Sequence, residues 1–178
     1  MARCDVDSDR GCPLSTPPRP RDRLGRPLPY DSNPTEVAPV VPELPAIDSA
    51  ETIDMAEGYL RDGLPFHAHE VFEARWRCCP DDERSLWRAL AQLGAGLTHH
   101  GRGNNVGADA LLRRAIEGLE TYAESRGEGP QDSTPITDPR GRVLDLDKLV
   151  TRIQIALAED DIDALAHDLI ALPRAPGR

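Results

Sequence analysis

A histidine and two glutamates stand close enough in the sequence to share one turn of a helix. His69, Glu70 and Glu73 occupy positions i, i+1 and i+4, and Trp76 follows three residues later. A helix turns about 100° per residue, so His69 and Glu73 lie within about 40° of each other and Trp76 returns almost to the angle of His69. Burying an unpaired charge costs free energy. The His69 and Glu73 side chains must therefore pair with each other, with other side chains, with water or with an ion.

A second polar stripe is predicted on the next helix. Gln92, Gly96 and His99 are separated by four and three residues and therefore line one helical face. Gly94 and Gly96 each cost about 1 kcal/mol of helix propensity relative to alanine, which a closely approaching backbone or bound group would explain. A short connection makes the two helices antiparallel neighbours, with their polar stripes facing each other. The predicted seam consists of His69, Glu73, Gln92 and His99.

Two kinds of chemistry fit this predicted seam. A hydrogen-bonded network would fix how the two helices pack. Alternatively, His69, Glu73 and His99 would bind a divalent metal ion, Zn, Mn or Fe, because imidazole and carboxylate groups are common ligands of these metals. An open coordination position would then activate water for hydrolysis, with Glu70 or Glu73 as the general base. The predicted binding residues are His69, Trp76, Gln92, His99 and Asn104, of which Gln92 and Asn104 would be orienting groups.

Five or six helices are predicted to position these residues, in an all-α domain that spans residues 48–173. Capping residues, helix-ending Gly and Pro, and apolar residues at helical spacing define them. The first helix begins after Asp48, the second follows Pro65, and the fifth begins after Asp145. The others cover about residues 82–100, residues 105–124 and a short stretch from Asp160 or Asp161 to before Pro173. The predicted inward faces of the third and fourth helices are Leu86, Leu90, Leu93 and Leu97, and Leu111, Leu112, Ala115 and Leu119. No strand is predicted, and residues 125–142 are expected to form a loop.

Residues 1–47 are predicted to be a disordered tail, and residues 174–178 a short C-terminal one. The first segment contains 10 of the chain's 17 prolines and shows no apolar periodicity, so it cannot bury enough surface to offset its ordering entropy. Residues 19–26 hold four arginines and one aspartate. This basic stretch would either lie against the acidic body of the protein or bind a protein partner. The second possibility makes the chain a binding module without chemistry of its own.

The charge of the whole chain argues against two classes of partner. Its formal net charge is -10, which repels phosphate backbones and anionic lipid. Nucleic acid and membranes are therefore not expected as partners, and without a long apolar segment or a secretion signal we expect a cytoplasmic protein. The four cysteines show neither a disulfide framework nor zinc-binding spacing.

Two ordered motifs stand on the predicted second and third helices. The first is the run from Phe66 to Trp76, and the second the run from Gln92 to His99, followed by Gly103-Asn104. Together they resemble a prokaryotic family, domain-of-unknown-function family 309. The resemblance covers about residues 50–123. It implies a compact all-helical fold, and it implies no established activity. The family's signature positions map onto His69, Glu70, Glu73, Trp76, Gln92, His99, Gly103 and Asn104.

Overall fold

Six α-helices form nearly all of the regular structure in the described part of the chain. The computed structural model describes residues 19–41, 48–125, 143–168 and 174–175. The helices are α1 (Ser49–Arg61), α2 (Pro65–Cys78), α3 (Arg84–Gly101), α4 (Asn105–Ser125), α5 (Leu146–Glu159) and α6 (Ile162–Asp168). A 3-10 turn, Asp81–Glu83, leads into α3. The predicted all-helical fold is confirmed. None of the described helices has both the length and the apolar character that crossing a bilayer requires.

Side-chain caps begin these helices where the sequence predicts them. The carboxylate of Asp48 accepts from the backbone N–H of Glu51 at 2.8 Å and so caps α1. Asp145 caps α5 in the same way, 3.0 Å from the N–H of Lys148. Each cap satisfies a backbone N–H that has no partner within its own helix. The predicted helix starts are therefore correct to within a residue at these two ends.

The third helix lies at the centre of the fold and packs most extensively on α4 and α2. Its four predicted inward leucines are all buried. The inward face of α4 differs slightly from the prediction. Leu111 is only half-buried, whereas Ala108 and Tyr122 are buried with Leu112, Ala115 and Leu119. The helix therefore presents a face rotated slightly from the predicted one.

Two glycines of α3 allow its neighbours to approach closely, as their cost in helix propensity suggested. A Cβ at Gly94 would lie 2.9 Å from the backbone nitrogen of His69, on α2. A Cβ at Gly96 would lie 3.0 Å from the side chain of Leu112, on α4. Both distances are shorter than ordinary van der Waals contact. The α2–α3 contact at His69 therefore requires a residue without a side chain at position 94.

Residues 19–41, here called the N-terminal arm, follow a defined path along the helices. The buried imidazole of His67 makes a 2.7 Å hydrogen bond through Nε2 to the carbonyl oxygen of Pro39. The turn at Gly25 lies on the ring of Phe66, and its φ of +75° favours glycine. Residues 1–18 and 42–47 of the predicted tail lie outside the described residues. Specific contacts of this kind, rather than apolar periodicity, connect the arm to the helices.

One pair of very short strands accompanies the helices. Val143–Leu144 pairs antiparallel with Arg174–Ala175. No strand was predicted from the sequence. Residues 174–178 were predicted to form a separate tail. Two residues per strand are too few for an alternating pattern, so the pairing left no sequence signal. Most of the predicted loop, residues 126–142, lies outside the described residues.

Candidate metal centre

The side chains of His69, Glu70 and Glu73 form a compact cluster on one turn of α2. Nε2 of His69 lies 3.3 Å from Oε2 of Glu73 and 3.9 Å from Oε1 of Glu70. One ligand atom from each residue fits within 4.8 Å of the other two. No second group of three His, Cys, Asp or Glu side chains meets this condition in the described ranges. The helical spacing therefore brings together the residue types that a divalent metal ion requires.

Helix α3 sets the orientation of the His69 imidazole. Nδ1 of His69 lies 2.9 Å from the carbonyl oxygen of Ala91. Because a carbonyl only accepts hydrogen bonds, Nδ1 must carry the proton and donate it. Nε2, the other ring nitrogen, therefore points toward the two carboxylates. A histidine that ligates a metal commonly has this arrangement, with its second ring nitrogen donating to a carbonyl or carboxylate.

An arginine orients one of the two carboxylates. Nη2 of Arg77 lies 2.5 Å from Oε1 of Glu73 and leaves Oε2 facing the imidazole. Arg77 stands four residues after Glu73, a spacing that pairs side chains on a helix surface. Arg77 was not among the residues predicted from the sequence, although this spacing could have identified it. The carbonyl of Ala91 could not have been found in this way, since it depends on how α2 and α3 pack.

The cluster is open to solvent rather than sealed in the core. The side chains of His69 and Glu73 are 24% and 25% exposed, and that of Glu70 is 41% exposed. An ion could therefore reach the three ligand atoms from solution. Water molecules would complete its coordination, as in metal sites that keep open positions.

The structure does not join the other predicted site residues to this cluster. Nδ1 of His99 accepts a 2.9 Å hydrogen bond from the side-chain amide of Asn104, whose oxygen caps α4 by accepting from the N–H of Gly107. The side chain of Gln92 makes no hydrogen bond within the described part of the chain. Trp76 packs against the core, with its ring 5.7 Å from Cζ of Arg84. Of the four residues of the predicted seam, His69 and Glu73 lie in this cluster, and Glu70 lies there with them.

Comparison with known proteins assigns a family to the helices that carry the cluster. Residues 53–111 match the family model described as Domain of unknown function (DUF309). This segment belongs to the DUF309 family. The segment runs from α1 into α4. The match confirms the resemblance that the two motifs indicated. No curated protein matches the chain, and no solved structure matches it either.

A second polar cluster in the DUF309 segment holds three helices together. Oε2 of Glu83 accepts hydrogen bonds from the indole N–H of Trp87 at 2.8 Å, from Arg75 at 3.0 Å and from Ser49 at 3.3 Å. Burial by itself would raise the pKa of the Glu83 carboxyl. These hydrogen bonds and the charge of Arg75 together lower it by more, so the pKa lies below its usual value. This cluster was not predicted, because it joins α1, α2 and α3 through residues far apart in the chain.

Proposed function

We propose that the DUF309 segment of this protein binds a divalent metal ion through His69, Glu70 and Glu73. The observation that carries the proposal is the orientation of the imidazole. With its proton fixed on Nδ1, a neutral His69 would direct the lone pair of Nε2 at two carboxylates. That contact is repulsive unless a cation lies between the groups, and the cation is either a proton on Nε2 or a metal ion.

The separations between the three groups favour a metal ion. Ligand atoms about 2.1 Å from a tetrahedral metal lie about 3.4 Å from one another. The 3.3 Å and 3.9 Å distances from Nε2 to the two carboxylates are close to this value, so small side-chain movements would complete the site. Two carboxylates and one imidazole suit Mn, Fe or Zn. The metal-binding hypothesis from sequence is thereby kept, with Glu70 in place of His99 as the third ligand.

A structural role for the cluster is the competing explanation. In that case Nε2 of His69 carries a proton, and an ion pair with Glu73 merely fixes the helix surface. Such an exposed pair would contribute little, about 0–1 kcal/mol. The two explanations differ in a direct measurement, because only one of them predicts an ion bound at stoichiometric amounts near neutral pH.

The deciding experiment is a titration of the untagged full-length protein with Mn²⁺, followed by electron paramagnetic resonance of the free ion. We expect about one bound ion per chain for the unaltered protein. His69→Ala and Glu73→Gln should each weaken binding by about tenfold or more, because each removes a direct ligand.

The control is His99→Ala, a change at a predicted ligand whose Nδ1 accepts a hydrogen bond from the side-chain amide of Asn104. It should leave Mn²⁺ affinity within about twofold, while circular dichroism verifies that each variant stays folded. If the unaltered protein binds no ion, or if His69→Ala binds as well as the unaltered protein, the proposal is wrong. Loss of binding in His99→Ala alone would return the third ligand to His99.

A further inference from the structure

Two arginine side chains converge on the ring of Phe66, at the start of α2. Cζ of Arg21 lies 5.4 Å and Cζ of Arg102 lies 6.0 Å from the centre of this ring. The first arginine belongs to the N-terminal arm and the second follows α3 directly. The arm and the helical domain thus each supply one guanidinium group to the same place.

The backbone of the arm fixes both guanidinium groups. Nη1 of Arg21 donates to the carbonyl of Gly25 at 2.7 Å, and Nε of Arg102 donates to the carbonyl of Leu24 at 2.9 Å. These carbonyls are consecutive in the chain, and both guanidinium groups lie over the same ring. Each guanidinium has five N–H donors, and donors remain on both after these bonds.

No carboxylate neutralises these two charges within the described part of the chain. Every hydrogen bond that Arg21 and Arg102 donate there goes to a backbone carbonyl. Arginines elsewhere on this acidic protein do pair with carboxylates, as Arg113 does with Asp109 at 2.9 Å. A bound anion would supply these guanidinium groups with the opposite charge that no described carboxylate provides.

The arginine pair also lies next to the proposed metal centre. The Cζ atoms of both arginines lie within 6.0 Å of the centre of the Phe66 ring, and this centre is 6.3 Å from that of the His69 imidazole. A ligand that reaches from the metal to the arginines would therefore span a single aromatic side chain. Guanidinium groups and metal ions are both strong partners for phosphate oxygens.

We infer that Arg21 and Arg102 bind the phosphate group of a small ligand that also contacts the metal ion at His69, Glu70 and Glu73. This inference rests on the proposed metal site. Two fixed positive charges match a phosphate dianion, and the solvent exposure of the cluster admits a small molecule. The phosphate could be free or carried by an ester, and its recognition chemistry is the same in both cases.

The test is the ³¹P relaxation rate of inorganic phosphate mixed with the full-length protein and Mn²⁺. Phosphate bound near the paramagnetic ion relaxes faster, and the concentration dependence gives its affinity. The variant Arg21→Gln, Arg102→Gln keeps neutral N–H donors for the arm carbonyls while it removes both charges. We expect it to bind phosphate about tenfold more weakly or worse, with Mn²⁺ affinity unchanged within about twofold.

Two further variants complete the test. Arg113→Gln removes an arginine whose charge Asp109 already balances, so it should bind phosphate as the unaltered protein does. Arg21→Gln alone, at an exposed position, should still weaken phosphate binding if the double variant proves unstable. Phenyl phosphate serves as a second probe. Tighter binding of this ester identifies a phosphorylated molecule as the ligand, and tighter binding of inorganic phosphate identifies free phosphate.

The possible failures are distinguishable. If Mn²⁺ binds but phosphate relaxation is the same in the double variant and in Arg113→Gln, the arginine inference is wrong and the metal site stands. If Mn²⁺ does not bind to the unaltered protein, both proposals are wrong. An equal loss of phosphate affinity in all arginine variants would indicate attraction to general positive charge, which also overturns the inference.

Discussion

At the scale of single residues, one backbone carbonyl and one glycine determine how the imidazole of His69 is oriented. The carbonyl of Ala91 accepts a hydrogen bond from the N–H of Nδ1, and Nε2 is left facing the two carboxylates. Gly94 allows α2 to come close enough for this hydrogen bond, because a Cβ there would meet the backbone and Cβ of His69 at 2.9–3.1 Å. The chemistry of the cluster thus depends on a position that carries no side chain.

This dependence predicts the effect of Gly94→Ala. Overpacking a close helix contact costs about 1–3 kcal/mol, more than the roughly 1 kcal/mol that alanine adds through helix propensity. We therefore expect a lower free energy of unfolding in urea and weaker Mn²⁺ binding. Gly58→Ala is the matched control, since nothing lies within 4 Å of a Cβ at this position of α1. It should stabilise the protein by up to about 1 kcal/mol, and equal effects of the two changes would contradict the close contact.

At the scale of elements, the Glu83 carboxylate joins the starts of α1 and α3 to the last turns of α2. Its partners are Ser49, Arg75 and Trp87, and the guanidinium of Arg75 also lies over the ring of Trp87 at 5.6 Å. These contacts are charge-assisted and partly shielded from solvent, a setting in which hydrogen bonds contribute more than on an open surface. The cluster therefore fixes the end of the α2–α3 pair that lies away from the N-terminal arm.

The lowered pKa of Glu83 predicts how stability depends on pH. A carboxyl whose folded pKa is below its unfolded value binds fewer protons in the folded state. Its contribution is complete above the unfolded pKa, near the ordinary value of 4.5, and is lost as pH falls through the folded pKa. Glu83→Gln should cost about 1–3 kcal/mol at neutral pH and progressively less in acid. Urea unfolding between pH 7 and pH 3 measures this difference.

A matched control for this pH series is Glu124→Gln, a change at an exposed carboxyl near the end of α4. Its effect on the free energy of unfolding should stay within about 0.5 kcal/mol at neutral pH. A cost of Glu83→Gln that does not vary with pH would show that the hydrogen bonds do not act through the ionised carboxylate.

The contact of the N-terminal arm with α2 predicts a difference between two glycines that have similar backbone conformations. Gly25 has a φ of +75° and Gly103 a φ of +77°. Alanine at either position pays about 1–2 kcal/mol for the left-handed backbone. At Gly25 the added Cβ would also overlap the ring of Phe66, whereas nothing lies within 4 Å at Gly103. Gly25→Ala should therefore lower the urea midpoint more than Gly103→Ala, and equal shifts would place the arm away from Phe66.

At the scale of the whole molecule, charge alone does not explain why a basic arm lies on an acidic protein. The arm's arginines donate to carbonyls within the arm, to that of Asp62 after α1 and to that of Arg102 after α3. Arg21 also contacts the ring of Phe66. None of these contacts is an ion pair with a carboxylate. The arm is therefore held by short-range hydrogen bonds and ring contacts, which salt screens little.

This arrangement predicts that docking of the arm is nearly independent of salt. Screening in about 0.5 M NaCl shortens the reach of charge to a few ångströms and weakens exposed ion pairs, but it leaves hydrogen bonds to carbonyls intact. We expect the amide hydrogens of Asp22, Gly25 and Ala38, which are bonded within the arm, to stay protected from exchange in hydrogen–deuterium measurements. Loss of this protection on raising the salt would show that attraction to the acidic body holds the arm.

The helices and the local pairing on α2 were predictable from the sequence because both depend on residues close together in the chain. Caps at Asp48 and Asp145, the proline at the start of α2 and the leucines of α3 act within one or two turns. The spacing of His69, Glu70 and Glu73 fixes their neighbourhood in the same local way. The sequence by itself therefore determined the all-helical fold and the proximity of these three side chains on α2.

Only the tertiary structure decided which distant groups meet. The rotation of α3 against α2 places the carbonyl of Ala91, rather than His99, on the imidazole of His69, and it leaves His99 with Asn104. The same packing gathers Ser49, Arg75 and Trp87 on Glu83. Periodicity gives the angle of a side chain around its own helix, but the depth and register of helix packing depend on how all the side chains at the contact fill space.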